Sequence, residues 1–255
     1  MEIGFCAGPE RMQEVAAAGF DYIELPVTRI ATLSEAEFGR LRDEAARMKL
    51  PCPSFNVLFP GEISLLSSAQ SEAEIVGYLD HAMQRLQRLG GKVCVFGSGR
   101  SRMRPEALPY DEAFRQLVNV TRMIGGAAAR HELTIAVEPL NRRETNMINS
   151  LAESAALTAA VHHPAVRFLA DYYHVAVEHE PPEDVARLGG IAHCHIAAEA
   201  DRTIPVAAED GFIRLFRSMK ASGYAGRISI EGRADDLPSQ GPAAIPLLKC
   251  LWAEA

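Results

Sequence analysis

Short apolar stretches rich in β-branched and aromatic residues alternate with longer stretches of helical periodicity along the whole chain. The short stretches predict strands at Glu2–Ala7, Asp21–Val27, Pro53–Leu58, Lys92–Gly97, Thr134–Pro139, Val166–Tyr172, Ile191–Ala197 and Arg227–Gly232. The longer stretches predict helices at Pro9–Ala18, Ser34–Met48, Ser71–Leu89, Asp111–His131, Leu151–Val161, Pro182–Leu188, Gly211–Ser222 and Gly241–Ala255. The pattern is therefore a series of βα units.

Eight βα units in 255 residues favour an α/β fold of the (β/α)₈ TIM barrel type, with residues 1–255 forming a single domain. A doubly wound sheet would need fewer strands and would leave an open edge. The least regular stretches, Phe59–Gln70 and Ser98–Pro109, follow predicted strands, where a barrel carries its active-site loops. We read neither of them as a domain boundary.

The alternation of side chains along each strand indicates which residues face the inside of the barrel. In Thr134–Glu138, Ile135 and Val137 share one face, and the other face carries Glu138. The same parity places a potential metal ligand on the inner face near the C-terminal end of four strands: Glu138, Asp171, His195 and Glu231. Catalytic residues of such barrels come from this end of the strands, so the four are expected to meet at one mouth.

Carboxylates and an imidazole are costly to bury alone, which indicates that the four share a cation. An oxygen-rich set of this kind favours Mn²⁺ or Mg²⁺, with Co²⁺, Fe²⁺ or Zn²⁺ as alternatives through the nitrogen. Such an ion keeps positions open for a carbonyl and a hydroxyl oxygen of a sugar, which acidifies the C–H bond between them. Glu138 and Glu231, on strands five and eight, would then remove a proton and return one through an enediolate.

Charge and composition argue against nucleic-acid and membrane partners. The formal net charge of −7 arises from 33 acidic and 26 basic residues without long runs of one sign, which argues against nucleic-acid binding. No stretch approaches the roughly 18 apolar residues of a membrane span, and the N-terminus lacks a signal-like pattern, so we expect a cytoplasmic protein without a membrane partner. The five cysteines include no CxxC pair, which argues against a disulfide framework or structural zinc.

Several other polar residues have more than one interpretation. His193 shares the parity of His195 and is a weaker candidate ligand, one layer deeper. Glu24 faces inward and would either support the site from behind or pair with an inner arginine such as Arg167, and Arg142 could pair with Glu144. The Gly97–Arg102 loop could cradle a phosphate, but it lacks a Walker lysine or a GxGxxG pattern, and we read it as an ordinary βα loop.

The stretches AVEPLNRRET, ADYYH, HCHIAAEADR and SIEG resemble the xylose-isomerase-like sugar isomerase and epimerase family, particularly its ketose 3-epimerases of the tagatose and psicose type. The resemblance follows strand order along the whole chain and is strongest from Leu133 to Arg233. It implies that the residues at the four strand ends bind one divalent ion, with the two glutamates as the acid and base. It also implies that His174 and Arg202 hydrogen-bond the substrate and that Glu144 supports the pocket.

The chain departs from the epimerase pattern in two places. The segment from His195 to Arg202 is one residue longer than usual, and Gly232 stands where a larger residue is expected. Hydroxypyruvate isomerases and inosose dehydratases share the ligand set and are alternative functions.

Two further readings are less favoured. An apurinic-site endonuclease would need imidazoles that strands three and four do not offer. A sugar-binding or regulatory barrel would bind its ligand without turnover, since the fold does not fix the function. In each enzyme reading except the endonuclease the partner is a small sugar or a sugar-derived substrate. A homo-oligomer is possible through the apolar face of the last helix, near Trp252.

Overall fold

The computed structural model describes residues 1–67 and 71–255, and within them parallel strands close into a barrel. The strands are β1 Ile3–Cys6, β2 Tyr22–Pro26, β3 Ser54–Asn56, β4 Val93–Phe96, β5 Thr134–Val137, β6 Val166–Asp171, β7 Ile191–Ile196 and β8 Ile228–Ile230. Neighbours in sequence are neighbours in the sheet, and β1 pairs with β8. The (β/α)₈ architecture predicted from the sequence is confirmed, and every observed strand lies inside its predicted range.

Helices pack around the barrel in the described residues. They are α1 Met12–Ala17, α2 Val27–Thr32, α3 Glu35–Met48, α4 Glu72–Arg88, α5 Tyr110–Arg130, α6 Leu151–Val161, α7 Tyr172–Val177, α8 Asp184–Leu188, α9 Asp210–Ala221 and α10 Leu237–Glu254. A 3₁₀ turn at Pro9–Arg11 precedes α1. Ser68–Gln70, the end of the irregular stretch predicted at Phe59–Gln70, lies outside the described residues.

Two of the long helices begin at capping boxes, which explains their accurate prediction. The hydroxyl of Ser34 accepts from the backbone N–H of Glu37, whose carboxylate accepts from the N–H of Ser34, and Ser71 and Glu74 repeat this exchange at α4. Each box satisfies two backbone donors that have no helical acceptor. The segments between the strands therefore start as helices at defined residues.

The barrel interior and the layer between strands and helices form separate apolar clusters. Val95, Ala136 and Leu169 make the small inner cluster, whereas Ile135 and Val137 belong to the large outer core. This is the division that strand parity predicts. Polar residues on the inner face beyond this cluster are consequently directed toward the C-terminal mouth.

The structure differs from the prediction in three helices. α2 and α7 have six residues each, too few to show helical periodicity in the sequence. α10 begins at Leu237 rather than Gly241, with Pro238 in its first turn, where a missing N–H costs no hydrogen bond. Its Trp252 packs on Phe216 of α9, with ring centroids 5.5 Å apart.

Arg167 was proposed as an inner partner of Glu24, and this prediction is wrong. β6 shifts register against β7 between Phe168 and Leu169, and Arg167 is exposed, with its Nε donating to the carbonyl of Gly190 at 2.8 Å. The inner face of the barrel therefore lacks this arginine.

None of the described helices combines the length and the apolar character needed to span a membrane.

A half-buried carboxyl at the start of α6 makes stability depend on pH. Glu180 Oε2 accepts a hydrogen bond from the backbone N–H of Leu151 at 2.9 Å, and burial, reinforced by Asp184, raises the pKa of Glu180 to about 7. The unfolded chain would release this proton near pH 4.3. The neutral carboxyl therefore stabilises the fold below that pH, and the contribution is lost as pH rises through about 7.

Glu180→Gln is expected to stabilise the protein relative to wild type more at pH 8 than at pH 5, by about 1–2 kcal/mol after allowance for partial solvent exposure. The free energy of urea unfolding measured at both pH values checks this. Glu106→Gln, at an exposed position, serves as the matched control. An equal effect of the Glu180 substitution at both pH values would contradict the assignment.

Candidate metal centre

Glu138, Asp171, His195 and Glu231 offer ligand atoms that all lie within 4.8 Å of one another. Asp171 is the last residue of β6, His195 is the penultimate residue of β7, and the two glutamates directly follow β5 and β8. The structure thus brings together the four residues that parity selected.

The ring of His195 is held from behind, so that only one nitrogen faces the carboxylates. Nε2 donates to Glu24 Oε1 at 2.8 Å, while Nδ1 lies 3.0 Å from Glu138 Oε1 and 3.4 Å from Glu231 Oε2. Burial favours the neutral ring, but Glu24 and Glu231 outweigh it and hold the pKa of His195 well above its usual range. Since Nε2 is engaged by Glu24, Nδ1 is the nitrogen that faces the carboxylates, and it would bind a cation only after losing its proton.

Glu24, left outside the ligand set by sequence reasoning, organises a buried network below the site. Its Oε2 accepts from His193 Nε2 at 2.8 Å and from the hydroxyls of Ser54 and Ser229 at 2.8 and 2.5 Å. Burial opposes ionisation, but the two histidines outweigh it and hold the pKa of Glu24 well below its usual range. The supporting role is the correct one of the two interpretations, and His193 does lie one layer deeper.

Asp171 carries a buried oxygen aimed at the cluster without a hydrogen-bond partner. Its Oδ1 accepts from the backbone N–H of Tyr173 at 2.7 Å and so caps α7. Its Oδ2 has no such partner, and the carboxylate is only 1 % exposed. An orphaned carboxylate oxygen beside two more carboxylates and an imidazole fits a hard divalent cation.

A second group of potential ligands, Cys6 with Glu24 and His195, also lies within 4.8 Å. Burial, reinforced by Glu24, raises the pKa of the Cys6 thiol well above its usual range. The sulfur therefore stays protonated, and Glu24 is already saturated by four donors. The carboxylate-rich group is the better cation site.

The two glutamates of the cluster have opposite electrostatic environments. Burial, followed by the charge of Glu231, raises the pKa of Glu138. Burial would also raise that of Glu231, but His195 and Arg202 outweigh it and lower the pKa of this carboxyl. Pairs of carboxyls with divergent pKa values are typical of sites that move protons.

Arg202 lies across the mouth of the cluster. Its Nη2 contacts Glu231 Oε2 at 2.5 Å and lies 3.7 Å from Asp171 Oδ2, and its Nη1 donates to Glu144 Oε1 at 3.1 Å. The guanidinium also packs over the ring of Tyr173. Arg202 and Glu144, both implied by the resemblance, therefore meet at the site. Arg142 pairs with Glu178 instead of Glu144, so that pairing prediction is wrong.

His174 is oriented by an amide that sequence reasoning missed. The backbone and side-chain N–H groups of Asn141 donate to His174 Nδ1 at 3.1 and 2.9 Å. Since Nδ1 accepts, Nε2 carries the proton, and it lies 3.7 Å from Asp171 Oδ2. The ring therefore presents an N–H donor to the cluster.

Two further residues fix the glutamates and were not singled out by their sequence pattern. Asn56, at the end of β3, donates to Glu231 Oε1 at 3.0 Å. Arg102 is fully buried, and its Nη2 donates to the carbonyl of Glu138 at 2.6 Å. The sequence pattern does not single out a neutral amide or a loop arginine as a buried functional residue. The inward parity of Asn56 in β3 is the one signal that could have identified that residue.

Gly232, which departs from the epimerase pattern, has a steric explanation. A Cβ at this position would lie 2.7 Å from the carbonyl carbon of Thr203, because the loop that carries Arg202 crosses here. Arg233 bonds to this loop on both sides, from its N–H to the carbonyl of Arg202 and from its carbonyl to the N–H of Ile204. Glycine therefore lets the loop approach β8 and set the position of Arg202.

Two cavities flank the cluster and share Val57, Arg202 and Glu231 as a common wall. One, of about 270 Å³, extends between the loops after β3 and β4, and the other, of about 300 Å³, extends along the ends of β1 and β8. A larger cavity of about 910 Å³ lies beside α9 and contains none of the four clustered residues. The two smaller cavities are the ones positioned to hold a substrate.

Comparison with protein families gives one match over most of the chain, to the family described as xylose isomerase-like TIM barrel, at residues 12–251. Among characterised relatives, the chain is 28% identical over 163 residues to 3-dehydro-D-guloside 4-epimerase of Escherichia coli, an alignment that spans 61% of this chain and 62% of the relative. It is 24% identical over 228 residues to D-psicose 3-epimerase of Agrobacterium fabrum, spanning 86% of this chain and 77% of that enzyme.

Solved structures show the same fold. A crystal structure of D-psicose 3-epimerase in the presence of D-fructose superposes with a TM-score of 0.87, covering 99% of both chains at 18% identity. At this identity the similarity establishes the architecture alone. The chain thus shares its fold and most of its length with sugar epimerases.

Proposed function

The chain belongs to the xylose isomerase-like TIM barrel family, and we propose that it is a divalent-metal-dependent sugar epimerase acting on a ketose or a related hydroxy-carbonyl sugar. One observation carries the proposal: Glu138, Asp171, His195 and Glu231 converge within 4.8 Å, with a buried oxygen of Asp171 lacking a partner. The named relatives, 3-dehydro-D-guloside 4-epimerase and D-psicose 3-epimerase, support a reaction at one sugar carbon.

The four clustered residues would hold one divalent ion, Mn²⁺ or Mg²⁺ by the hardness of their oxygens. When bound, such an ion polarises a carbonyl oxygen of the sugar and acidifies the neighbouring C–H bond. Glu24 would keep the His195 ring turned with Nδ1 toward the ion. Such support behind a ligand commonly tunes metal affinity.

Glu138 and Glu231 would exchange the proton at the reacting carbon. One carboxylate removes it to leave an enediolate, and the other returns a proton on the opposite face, which inverts the carbon. Asn56 fixes the carboxylate of Glu231, and Arg102 fixes the backbone of Glu138. Asn56 therefore restrains the carboxylate of Glu231 directly, whereas Arg102 restrains the main chain from which the Glu138 side chain extends.

His174 and Arg202 would orient the sugar over the two glutamates. His174 offers Nε2–H from a ring locked by Asn141, and Arg202 offers a guanidinium that Glu144 holds in position. Both groups donate hydrogen bonds, which suits the hydroxyl and carbonyl oxygens of a sugar. Binding of substrate would take over contacts that Arg202 makes with Glu231.

A panel assay tests the proposed function. Purified protein loaded with Mn²⁺ or Mg²⁺ is incubated with ketohexoses, ketopentoses and 3-keto sugars, and products are followed by ¹³C NMR. Inversion at a single carbon without change of formula is expected. Net loss of water would indicate a dehydratase, aldose formation would indicate an aldose–ketose isomerase, and turnover of none of the sugars would contradict the proposal.

Glu24→Gln is expected to weaken Mn²⁺ binding by about 10- to 100-fold, because the amide no longer accepts from both histidines and releases the ring of His195. Isothermal titration of the metal-free protein measures the effect. Tyr22→Phe is the control from the same buried layer, since the Tyr22 hydroxyl bonds to Ser229 at 2.8 Å and, within the described residues, makes no direct hydrogen bond to Glu24. Unchanged affinity in the folded Glu24 variant would show that Glu24 does not position His195 for metal binding.

A further inference from the structure

The cavity between the loops after β3 and β4, here named the loop lobe, leads from the glutamate pair to an arginine. Glu138 and Glu231 line it together with Gly61, Ser98 and Arg100 of the two loops. With a volume of about 270 Å³, it exceeds what a single hydroxymethyl group would fill. A substituent of the sugar remote from the reacting carbon would extend into it.

The guanidinium of Arg100 has no partner within the described part of the chain. The side chain is exposed and, within residues 1–67 and 71–255, takes part in no hydrogen bond or ion pair, whereas Arg202 on the opposite wall contacts three carboxylates. Its position is nevertheless defined, because a Cβ at Gly61 would lie 3.2 Å from Arg100 Nε and 3.4 Å from Cζ. The guanidinium therefore lies against the backbone of Gly61.

The loops that carry these residues are tied together. The backbone N–H of Phe59 donates to Ser98 Oγ at 2.9 Å, the hydroxyl of Ser101 donates to the carbonyl of Pro60 at 2.9 Å, and the N–H of Leu65 donates to the carbonyl of Ser101 at 2.7 Å. Such cross-links restrain the backbone on both sides of Arg100. The charge is therefore presented from a preorganised frame.

The backbone of the same loop offers further hydrogen-bond donors beside the guanidinium. The N–H groups of Gly99 and Arg100 meet no acceptor in the described part of the chain. A Cβ at Gly99 would lie 2.9 Å from Leu140 Cδ1 and 3.0 Å from the carbonyl oxygen of Glu144, so a side chain would close the gap between the walls. Free N–H groups beside an unpaired guanidinium suit a carboxylate or a phosphate.

We propose that the loop lobe binds an anionic substituent of the sugar, a carboxylate or a phosphate remote from the carbon that inverts, with Arg100 as its cationic contact. The inference rests on the proposed function for the position of the reacting carbon. A guanidinium matches the paired oxygens of either group.

Three probes and three variants test the proposal: a ketohexose, its 6-phosphate and the corresponding ketohexuronate, each assayed with wild type, Arg100→Gln, Arg100→Lys and Arg233→Gln. Wild type is expected to favour one anionic probe over the neutral ketose by about 10- to 100-fold in kcat/KM, the range of a charge-assisted contact. Arg100→Gln is expected to abolish this preference and Arg100→Lys to keep part of it. Which anion is preferred identifies its source.

Arg233→Gln is the matched control, because Arg233 lines the other cavity beside Glu231 and the substitution removes the same charge. This variant is expected to retain the preference. Equal kcat/KM for neutral and anionic probes, or a preference that survives Arg100→Gln, would overturn the proposal. Loss of the preference in Arg233→Gln alone would overturn it as well.

Calorimetric titration of the same probes into metal-loaded protein separates this inference from the proposed function. If none of the sugars in the wider panel is turned over, the epimerase proposal fails, and an Arg100-dependent preference in Kd among the three probes still supports the anion site. If turnover occurs without any preference for anions, the epimerase proposal stands and the anion site fails.

Discussion

Glu138→Gln and Glu231→Gln are each expected to slow epimerisation by about 10²–10⁴-fold, the usual contribution of a positioned acid or base. An amide at either position can neither remove nor return the proton at the reacting carbon. Both carboxylates lie beside His195 Nδ1. Replacing either one removes a group that the proposed removal and return of the substrate proton requires. Initial rates measured by ¹H NMR with the preferred ketose check the prediction.

Metal content decides how these variants are interpreted, since both glutamates are also proposed ligands. Each variant is assayed at Mn²⁺ concentrations that saturate it, as established by calorimetric titration. Glu209→Gln is the matched control, because Glu209 lies on the same face of the barrel but lines the cavity beside α9. Epimerisation near the wild-type rate in a saturated glutamine variant would rule out the assigned role.

Removal of divalent metal is expected to abolish turnover and to lower thermal stability. An ion at 100 times its Kd stabilises the folded state by about 2.7 kcal/mol, which corresponds to a rise in Tm of about 5–10 °C for a chain of this size. Differential scanning fluorimetry of chelated protein, before and after addition of Mn²⁺, measures the stabilisation independently of activity. Restored turnover in the same samples links the two effects.

Asp171→Asn isolates the site of this stabilisation. The amide still accepts the capping hydrogen bond from Tyr173 and removes one negative charge from the cluster, so the metal-free variant is expected to be at least as stable as wild type. Mn²⁺ is then expected to raise its Tm little. Asp43→Asn, at an exposed position on α3, is the matched control and should keep the full shift. A full shift in Asp171→Asn would place the ion elsewhere.

The barrel could be predicted from the sequence because two independent periodicities agree. In β5 the β-branched Ile135 and Val137 alternate with the inward-facing Ala136, and helices such as α4 begin at a capping box, Ser71–Glu74. Consistency between local signals and the global fold is what makes a sequence specify one structure. The convergence of the four clustered residues follows from the same parity.

The residues that tune the cluster were harder to predict. Asn56 and Asn141 are neutral, so burying them carries no cost large enough to mark them in the sequence, and Arg102 contacts backbone carbonyls across a loop. Loops are positioned by contacts between distant segments rather than by local periodicity.

Gly232 is also explained by a contact between distant segments. A side chain at this position would clash with the loop that carries Arg202, which the sequence alone does not show. The four clustered residues can therefore be identified from strand parity, whereas the contacts that position them can be identified only in the folded structure.

The most direct measurement is epimerisation of the preferred ketose in D₂O by Mn²⁺-loaded protein, analysed by NMR and mass spectrometry. Proton transfer between Glu138 and Glu231 predicts one solvent deuterium per inverted molecule, located at the inverted carbon and absent from the other carbons. The chelated protein is expected to produce neither inversion nor exchange. Inversion without deuterium at that carbon would contradict proton transfer by the two glutamates.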